Sequence, residues 1–208
     1  MNIFVMASGT ATRFNGISKQ LLPLNFDHTF LSRQMTQCIP HQPTIVTHNE
    51  EIILYADYHD YPHIAPADSS TVCNSILSTS HLWDERTIIL LGDVIYSNKV
   101  MQQILTSQEP LMFFGDQWEL FALSFDFSQH DQICESLKAG SHHRFGKLRY
   151  AYRAYSKLSL DHHDTSKTLT LDPNMQYTDC WITRDCDSPS VYVNIQNELI
   201  STHVLETQ

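Results

Sequence analysis

The sequence predicts an α/β protein with a mostly parallel sheet flanked by helices, on three observations. Apolar runs of strand length alternate with segments of helical periodicity over roughly the first 95 residues. Two of those runs, "NIFVMA" and "RTIILL", stop abruptly at Ser8-Gly9 and Gly92-Asp93, as buried parallel strands do where they meet a loop. Farther along, "PLMFFG" and "WELFALSF" follow one another without an intervening helix, which predicts an antiparallel section appended to the parallel one.

The elements follow in order. "TFLSRQMTQC" carries Phe30, Leu31, Gln34, Met35 and Cys38 at helical spacing, and "PTIVTH" reads as the next strand, completing a βαβ unit. A helix is expected in "NEEIILYADYHDY", a short strand near "PHIAPA", and a helix in "STVCNSILSTSHLW" with Val72, Ile76 and Leu82 on one face. Past Asp93, helices are expected at "NKVMQQIL", "QHDQICESLKAG" and "GKLRYAYRAYSK". In "SPSVYVNIQNELI", Ser188 suits an N-cap and Pro189 the first helical turn, and Val191, Ile195 and Leu199 recur four apart, so a terminal helix begins just after Asp187. No linker composition, repeat or low-complexity segment divides the chain. One domain over 1–208 is expected, with 42% hydrophobic residues to build its core.

Charge and cysteine usage exclude several classes. With 23 acidic against 13 basic residues and a net charge of -10, the chain lacks the basic surplus that general nucleic-acid binding needs. A few basic groups focused in one pocket still allow a small anionic ligand. The five cysteines, Cys38, Cys73, Cys134, Cys180 and Cys186, form no CxxC pair, so neither a disulfide framework nor a zinc knuckle is expected. The first residues resemble no signal peptide and no long apolar run is present, which points to a cytoplasmic protein outside the membrane. The pairs His142-His143 and His162-His163 point in divergent directions on any regular element and make no natural zinc site.

Two strand ends carry the chemistry. In open α/β sheets, ligands bind beyond the carboxyl ends of the strands. After the first strand, "ASGTATR" offers small residues whose backbone N–H groups can approach phosphate oxygens. Arg13 and Lys19 add a planar fork and a point charge. After "IILLG", Asp93 stands where a hard cation would bridge protein and phosphates. A polar loop and a capping Asp explain the same residues singly. In "SHHRFGKLRYAYRAYSK", His142, His143, Arg144, Lys147, Arg149 and Arg153 concentrate positive charge. That segment is read either as a seat for a phosphorylated acceptor or as a solvated amphipathic helix, with Tyr150, Tyr152 and Tyr155 as core or helix-face residues.

Taken together, these motifs resemble the GT-A-like nucleotidyltransferases, also called MobA-like NTP transferases, which activate sugar phosphates, phosphocholine and the molybdenum cofactor. "VMASGTATRF" is similar to the family's "LAAGxGTRF" opening, and Lys19 with "LLPL" to its Lys followed by "LLPL". "LSRQMTQC" falls at the family's first helix, "ILLGDVIYS" resembles its metal-binding "GD" strand end, and "RDCDSPSVY" its late "DIDTPEDY" motif. The chain departs from the pattern at Ala11, where the family has its second loop glycine, at Ser18, where it commonly has proline, and at Cys186 and Ser190-Val191.

The resemblance implies a Rossmann-like GT-A nucleotidyltransferase fold with an antiparallel acceptor-side section. It divides the domain into a nucleotide-binding half, about 1–97, and an acceptor and second metal-ligand half, about 98–208. The implied activity is Mg²⁺-dependent transfer of NMP from an NTP to a small phosphorylated acceptor, with release of pyrophosphate. Ala7, Ser8, Gly9 and Thr10 would line the nucleotide phosphates, Arg13 and Lys19 would neutralise them, and Thr71 and Ser75 would meet base and ribose. Asp93 and Asp187 would bind Mg²⁺ with Asp185 as helper, and Arg144 and Lys147 would meet the acceptor. Competing readings are a GT-A glycosyltransferase using a nucleotide sugar, which has less need of the Arg13 and Lys19 charges, and a noncatalytic nucleotide-binding regulatory module.

Overall fold

A computed structural model describes residues 1–9, 14, 16–25, 27–116, 119–143, 146–157, 174–177, 184–185 and 188–206; of Tyr177, Arg184, Asp185 and 198–206 it describes the backbone alone. The strands are β1 (Asn2–Met6), β2 (Thr44–Val46), β3 (His63–Ile64), β4 (Arg86–Leu91), β5 (Val94–Ile95), β6 (Leu111–Gly115), β7 (Leu120–Asp126), β8 (Met175–Tyr177) and β9 (Arg184–Asp185). The α-helices are α1 (Phe30–Gln37), α2 (Glu50–Tyr58), α3 (Val72–Leu77), α4 (Asn98–Thr106), α5 (His130–Ser141), α6 (Leu148–Tyr155) and α7 (Pro189–Glu206). Seven strands form one sheet in the order β3-β2-β1-β4-β7-β6-β8, and β5 pairs with β9 apart from it. β3, β2, β1 and β4 run parallel, β7 is antiparallel to both its neighbours, and β8 is parallel to β6. The expected mostly parallel sheet with an antiparallel section is thus present.

Period-two alternation divides the core between the sheet's faces. Ile3, Val5, Ile88, Leu90 and Phe114 join Leu31, Ile52, Val100 and Ile104, so α1, α2 and α4 cover one face. Phe4, Met6, Ile89, Phe113 and Leu123 join Ile76, Ile133, Leu137 and Tyr152, so α3, α5 and α6 cover the other. Because both faces are covered, the central strands read as continuous apolar runs. A third cluster joins Leu22, Leu24 and Phe30 to Ile195, and Tyr192 Oη donates to Pro23 O at 2.6 Å. The C-terminal helix is thereby fastened to the "LLPL" segment.

Two expectations change. The helix in "STVCNSILSTSHLW" ends at Leu77, and Leu82 sits in a separate 3₁₀ turn, 39% exposed. Ser78 Oγ and Thr79 Oγ1 donate back to the carbonyls of Asn74 and Ile76, a local competition that serine and threonine offer against helix continuation. Nor is α6 a solvated basic helix: Leu148 through Arg153 are all buried. Arg149 lies 5.7 Å from the ring centre of Tyr150, a cation–π arrangement that helps hold a guanidinium away from water.

Two substitutions test this packing. Tyr96 is fully buried; its hydroxyl donates to Phe121 O at 2.5 Å and accepts from Leu91 N at 3.0 Å. Tyr96→Phe leaves both backbone groups short of a partner and should lower unfolding stability by about 1–3 kcal/mol in urea titration. A Cβ on Gly140 would stand 2.7 Å from Ala151 N. Gly140→Ala should therefore destabilise by about 1 kcal/mol or more, because forcing α5 and α6 apart outweighs the gain in helix propensity of about 1 kcal/mol. An unchanged urea midpoint would refute this close contact.

Candidate functional site

The register of the parallel strands sets the site. Met6 pairs with Val46 on one side and Leu91 on the other, so β1, β2 and β4 end at one level and release three loops side by side. Ala7 N donates to Val46 O and Gly92 N to Met6 O, each at 2.9 Å. A Cβ on Gly92 would lie 2.8 Å from Met6 O and 3.3 Å from the Cβ of Ala7, so this approach requires glycine. Beyond these ends opens a cavity of about 530 Å³.

On one side of the cavity, a 3₁₀ turn at Lys19–Leu21 brings the lysine against the end of β4. Lys19 Nζ donates to Asp93 Oδ2 at 2.6 Å, with the two side chains 14% and 25% exposed. Their charges offset one another in a setting partly shielded from water, where such a pair is worth more than on an open surface. Gln20 is 2% exposed and lines the cavity, and its Oε1 has no hydrogen-bond partner among the described residues.

A second ion pair, Lys147 with Glu119, lies on the same cavity wall as Leu120 and Phe121. Glu119 is held in the β6–β7 turn, its N–H donating to Asp116 Oδ1 at 2.7 Å and its carbonyl accepting from Asp116 N at 2.9 Å. Gly146 adopts φ +51° against Thr71, where a Cβ would overlap the threonine. Its carbonyl accepts from Cys73 N at 3.0 Å. The N-termini of α3 and α6 are thus pressed together. The Cys73 thiol is buried between them, donates to Lys147 O at 3.5 Å, and is pushed by burial up to about 12. Hydrogen bonds from Ser70 to Asp68, side chain first and then backbone, hold that exposed carboxyl below its ordinary value and pin the turn before α3.

The structure brings several sequence-predicted residues together. Ser8 and Gly9 line the cavity directly after the buried Ala7; Thr71, Ser75, Asp93 and Lys147 line it too, and Lys19 reaches it through Asp93. Thr71 Oγ1 is engaged as the N-cap of α3, accepting from Asn74 N, and Ser75 Oγ donates to Thr71 O. Antiparallel pairing of β5 with β9 sets the backbone of Asp185 opposite Val94, next to Asp93. Thr10, Arg13, Arg144 and Asp187 lie outside the described residues. Within the basic segment, His143, Arg149 and Arg153 are buried, and only Lys147 of its described basic residues lines the cavity. Sequence reading missed Gln20 and Glu119. The first could have been suspected beside Lys19, whereas nothing local to a hairpin turn marks the second.

Among the described residues, no three His, Cys, Asp or Glu side chains converge as a metal cluster, and no helix is long and apolar enough to cross a membrane. The sequence matches no family model and no curated protein. Solved structures do match over nearly the whole chain. CTP:phosphocholine cytidylyltransferase from Streptococcus pneumoniae aligns with TM-score 0.64 at 10% identity, covering 95% of this chain and 98% of that one. Molybdopterin-guanine dinucleotide biosynthesis protein A from Archaeoglobus fulgidus aligns with TM-score 0.62 at 11% identity, covering 97% and 100%. UDP-glucose pyrophosphorylase complexed with UDP-glucose aligns with TM-score 0.59 at 13% identity, covering 97% and 98%. The chain therefore has the fold of the NTP transferases that its motifs resemble.

Proposed function

We propose that this protein is a nucleotidyltransferase that moves NMP from an NTP to a small phosphorylated acceptor and releases pyrophosphate. The observation that carries the reading is the meeting of Lys19 and Asp93, at 2.6 Å, at the level strand ends where Ser8 and Gly9 also open into the cavity. One basic and one acidic group at that place match the two halves of a metal–triphosphate. The fold likeness to nucleotidyltransferases supports the same activity.

In this reading the triphosphate lies along Ser8 and Gly9, Lys19 neutralises its non-transferred phosphates, and Thr71 and Ser75 face base and ribose. A phosphate oxygen of the acceptor, ionised near neutral pH, attacks the α-phosphorus in line, and the bond to the bridging oxygen of pyrophosphate breaks. No protein nucleophile is required. The residues act by holding the reactants in line and by meeting developing charge. Lys147, which also lines the cavity, meets the acceptor. Mg²⁺ suits this donor set, because it binds through one or two carboxylates plus substrate phosphates and retains several waters. Asp93 would hold it, with Asp187 and Asp185 from the late segment. When bound it would supply polarisation of the phosphoryl oxygens.

Thermal denaturation with ATP, CTP, GTP, UTP and dTTP, each with and without Mg²⁺, tests the reading without knowledge of the acceptor. One or more should stabilise in a Mg²⁺-dependent way, by about 2.7 kcal/mol at 100 times the Kd. Asp93→Asn should abolish the Mg²⁺-dependent part while leaving the unliganded fold intact. No shift with any NTP, or a shift indifferent to Asp93, would overturn the reading. Lys19→Ala should weaken triphosphate binding about 10- to 100-fold by titration calorimetry, the range for a lost charged hydrogen bond. Equal affinity of the parent for NTP and nucleoside monophosphate would contradict the phosphate grip. With a phosphorylated acceptor, pyrophosphate release distinguishes this activity from sugar transfer.

A further inference from the structure

We infer that Ser18, through Asn49 and Thr47, is a positioning residue that clasps the returning end of the first loop to the end of β2 and so holds Lys19 at the cavity. The inference rests on the proposed role of Lys19 as a phosphate-binding group. After Gly9 the chain runs on to residue 17 and must then deliver Lys19 back to the strand ends it left. A continuous series of hydrogen bonds spans that gap. Thr47 Oγ1 donates to Ala7 O at 3.0 Å, and Asn49 N donates to Thr47 Oγ1 at 3.0 Å. Asn49 Nδ2 then donates to Ser18 Oγ at 2.9 Å, and Ser18 Oγ donates to Glu51 Oε2 at 2.8 Å. The loop's first residue and the residue before Lys19 are tied to the same three-residue stretch after β2.

Three features mark the series as a device rather than incidental surface polarity. Thr47 and Ser18 are both 0% exposed, and each hydroxyl both donates and accepts, so a lost partner leaves a buried polar group unsatisfied. Asn49 serves two ends at once, because its Oδ1 also accepts from Glu51 N and Ile52 N as the N-cap of α2. The backbone of Ser18 has φ -64° and ψ 115°, the φ at which a proline ring is locked. Ser18 therefore achieves by hydrogen bonding the backbone restriction that proline supplies covalently. The turn it leads into is read in two amides: Leu21 N donates to Ser18 O and Leu22 N to Lys19 O, at 2.9 and 3.1 Å.

Three variants separate this role from fold maintenance. Ser18→Ala removes the clasp. Asn49→Asp keeps a good N-cap for α2 but removes the Nδ2 donor. Ser18→Pro removes the hydrogen bonds and restores the φ restriction. Hydrogen exchange at Leu21 and Leu22 should quicken about tenfold in Asn49→Asp, which loses one hydrogen bond, by at least about tenfold in Ser18→Ala, which loses two, and return toward the parent rate in Ser18→Pro. The dissociation constant of magnesium tripolyphosphate, a probe without a base, should rise about tenfold in Ser18→Ala and Asn49→Asp and recover in Ser18→Pro. Unchanged exchange at both amides in Ser18→Ala overturns the clasp, whatever the protein binds. A proline variant as loose as the alanine variant also overturns it. If exchange responds and is rescued while the parent binds neither tripolyphosphate nor any NTP, the clasp stands and the nucleotidyltransferase reading falls.

Discussion

How closely β4 can follow β1 governs the rest of the molecule. Their pairing runs unbroken from Asn2 opposite Thr87 to Met6 opposite Leu91, and it continues one step farther because Gly92 carries no side chain and can donate to Met6 O. That last contact sets the height at which Asp93 leaves the sheet. It also sets where Gln20 rests, since Gln20 Cγ lies 3.4 Å from the position a Cβ on Gly92 would occupy. A side chain at residue 92 would push back the backbone of β1 and disturb every group at that edge together.

The sheet's architecture was legible where periodicity was strong. "NIFVM" and "RTIILL" are buried on both faces and read as unbroken apolar runs, and α1 and α4 show one apolar stripe each. What could not be read was tertiary in origin. Arg149 and Arg153 are charged residues on a helix, and local sequence leaves them to solvent or to an acceptor; their burial follows from the packing of α6 against α5 and the sheet. Leu82 matched a helical face that Ser78 and Thr79 interrupt through their own hydroxyls. The cavity divides similarly. Asp93 and Lys19 were visible because each is tied to a strand end or turn, whereas Glu119 meets Lys147 only through the three-dimensional path of β7 and α6. Ser18 read as a departure from the family's proline; its partners, Asn49 and Glu51, belong to another element and leave no trace beside it.

Electrostatics reconcile an acidic chain with the anionic ligand proposed for it. The net charge of -10 disfavours long basic tracks, but Lys147 on the cavity wall pairs with Glu119, and Lys19 beside the cavity pairs with Asp93. A pair of this kind leaves little net field while the cavity is empty and presents both signs to an incoming ligand. The cost of holding charge in a partly shielded site is then offset in the free protein as well as in a complex.

The buried thiol of Cys73 gives the wall between α3, α5 and α6 a clock. Its Sγ lies 3.1 Å from where a Cβ on Gly140 would be, and it touches the backbone of Lys147. With its pKa pushed by burial up to about 12, the reactive thiolate is far scarcer than in an ordinary cysteine. An alkylating reagent must therefore wait for the wall to part, and its rate of capture at Cys73 times that opening. The same burial would keep the thiol from oxidants while the wall is closed, so modification at this position would report any parting of α3, α5 and α6.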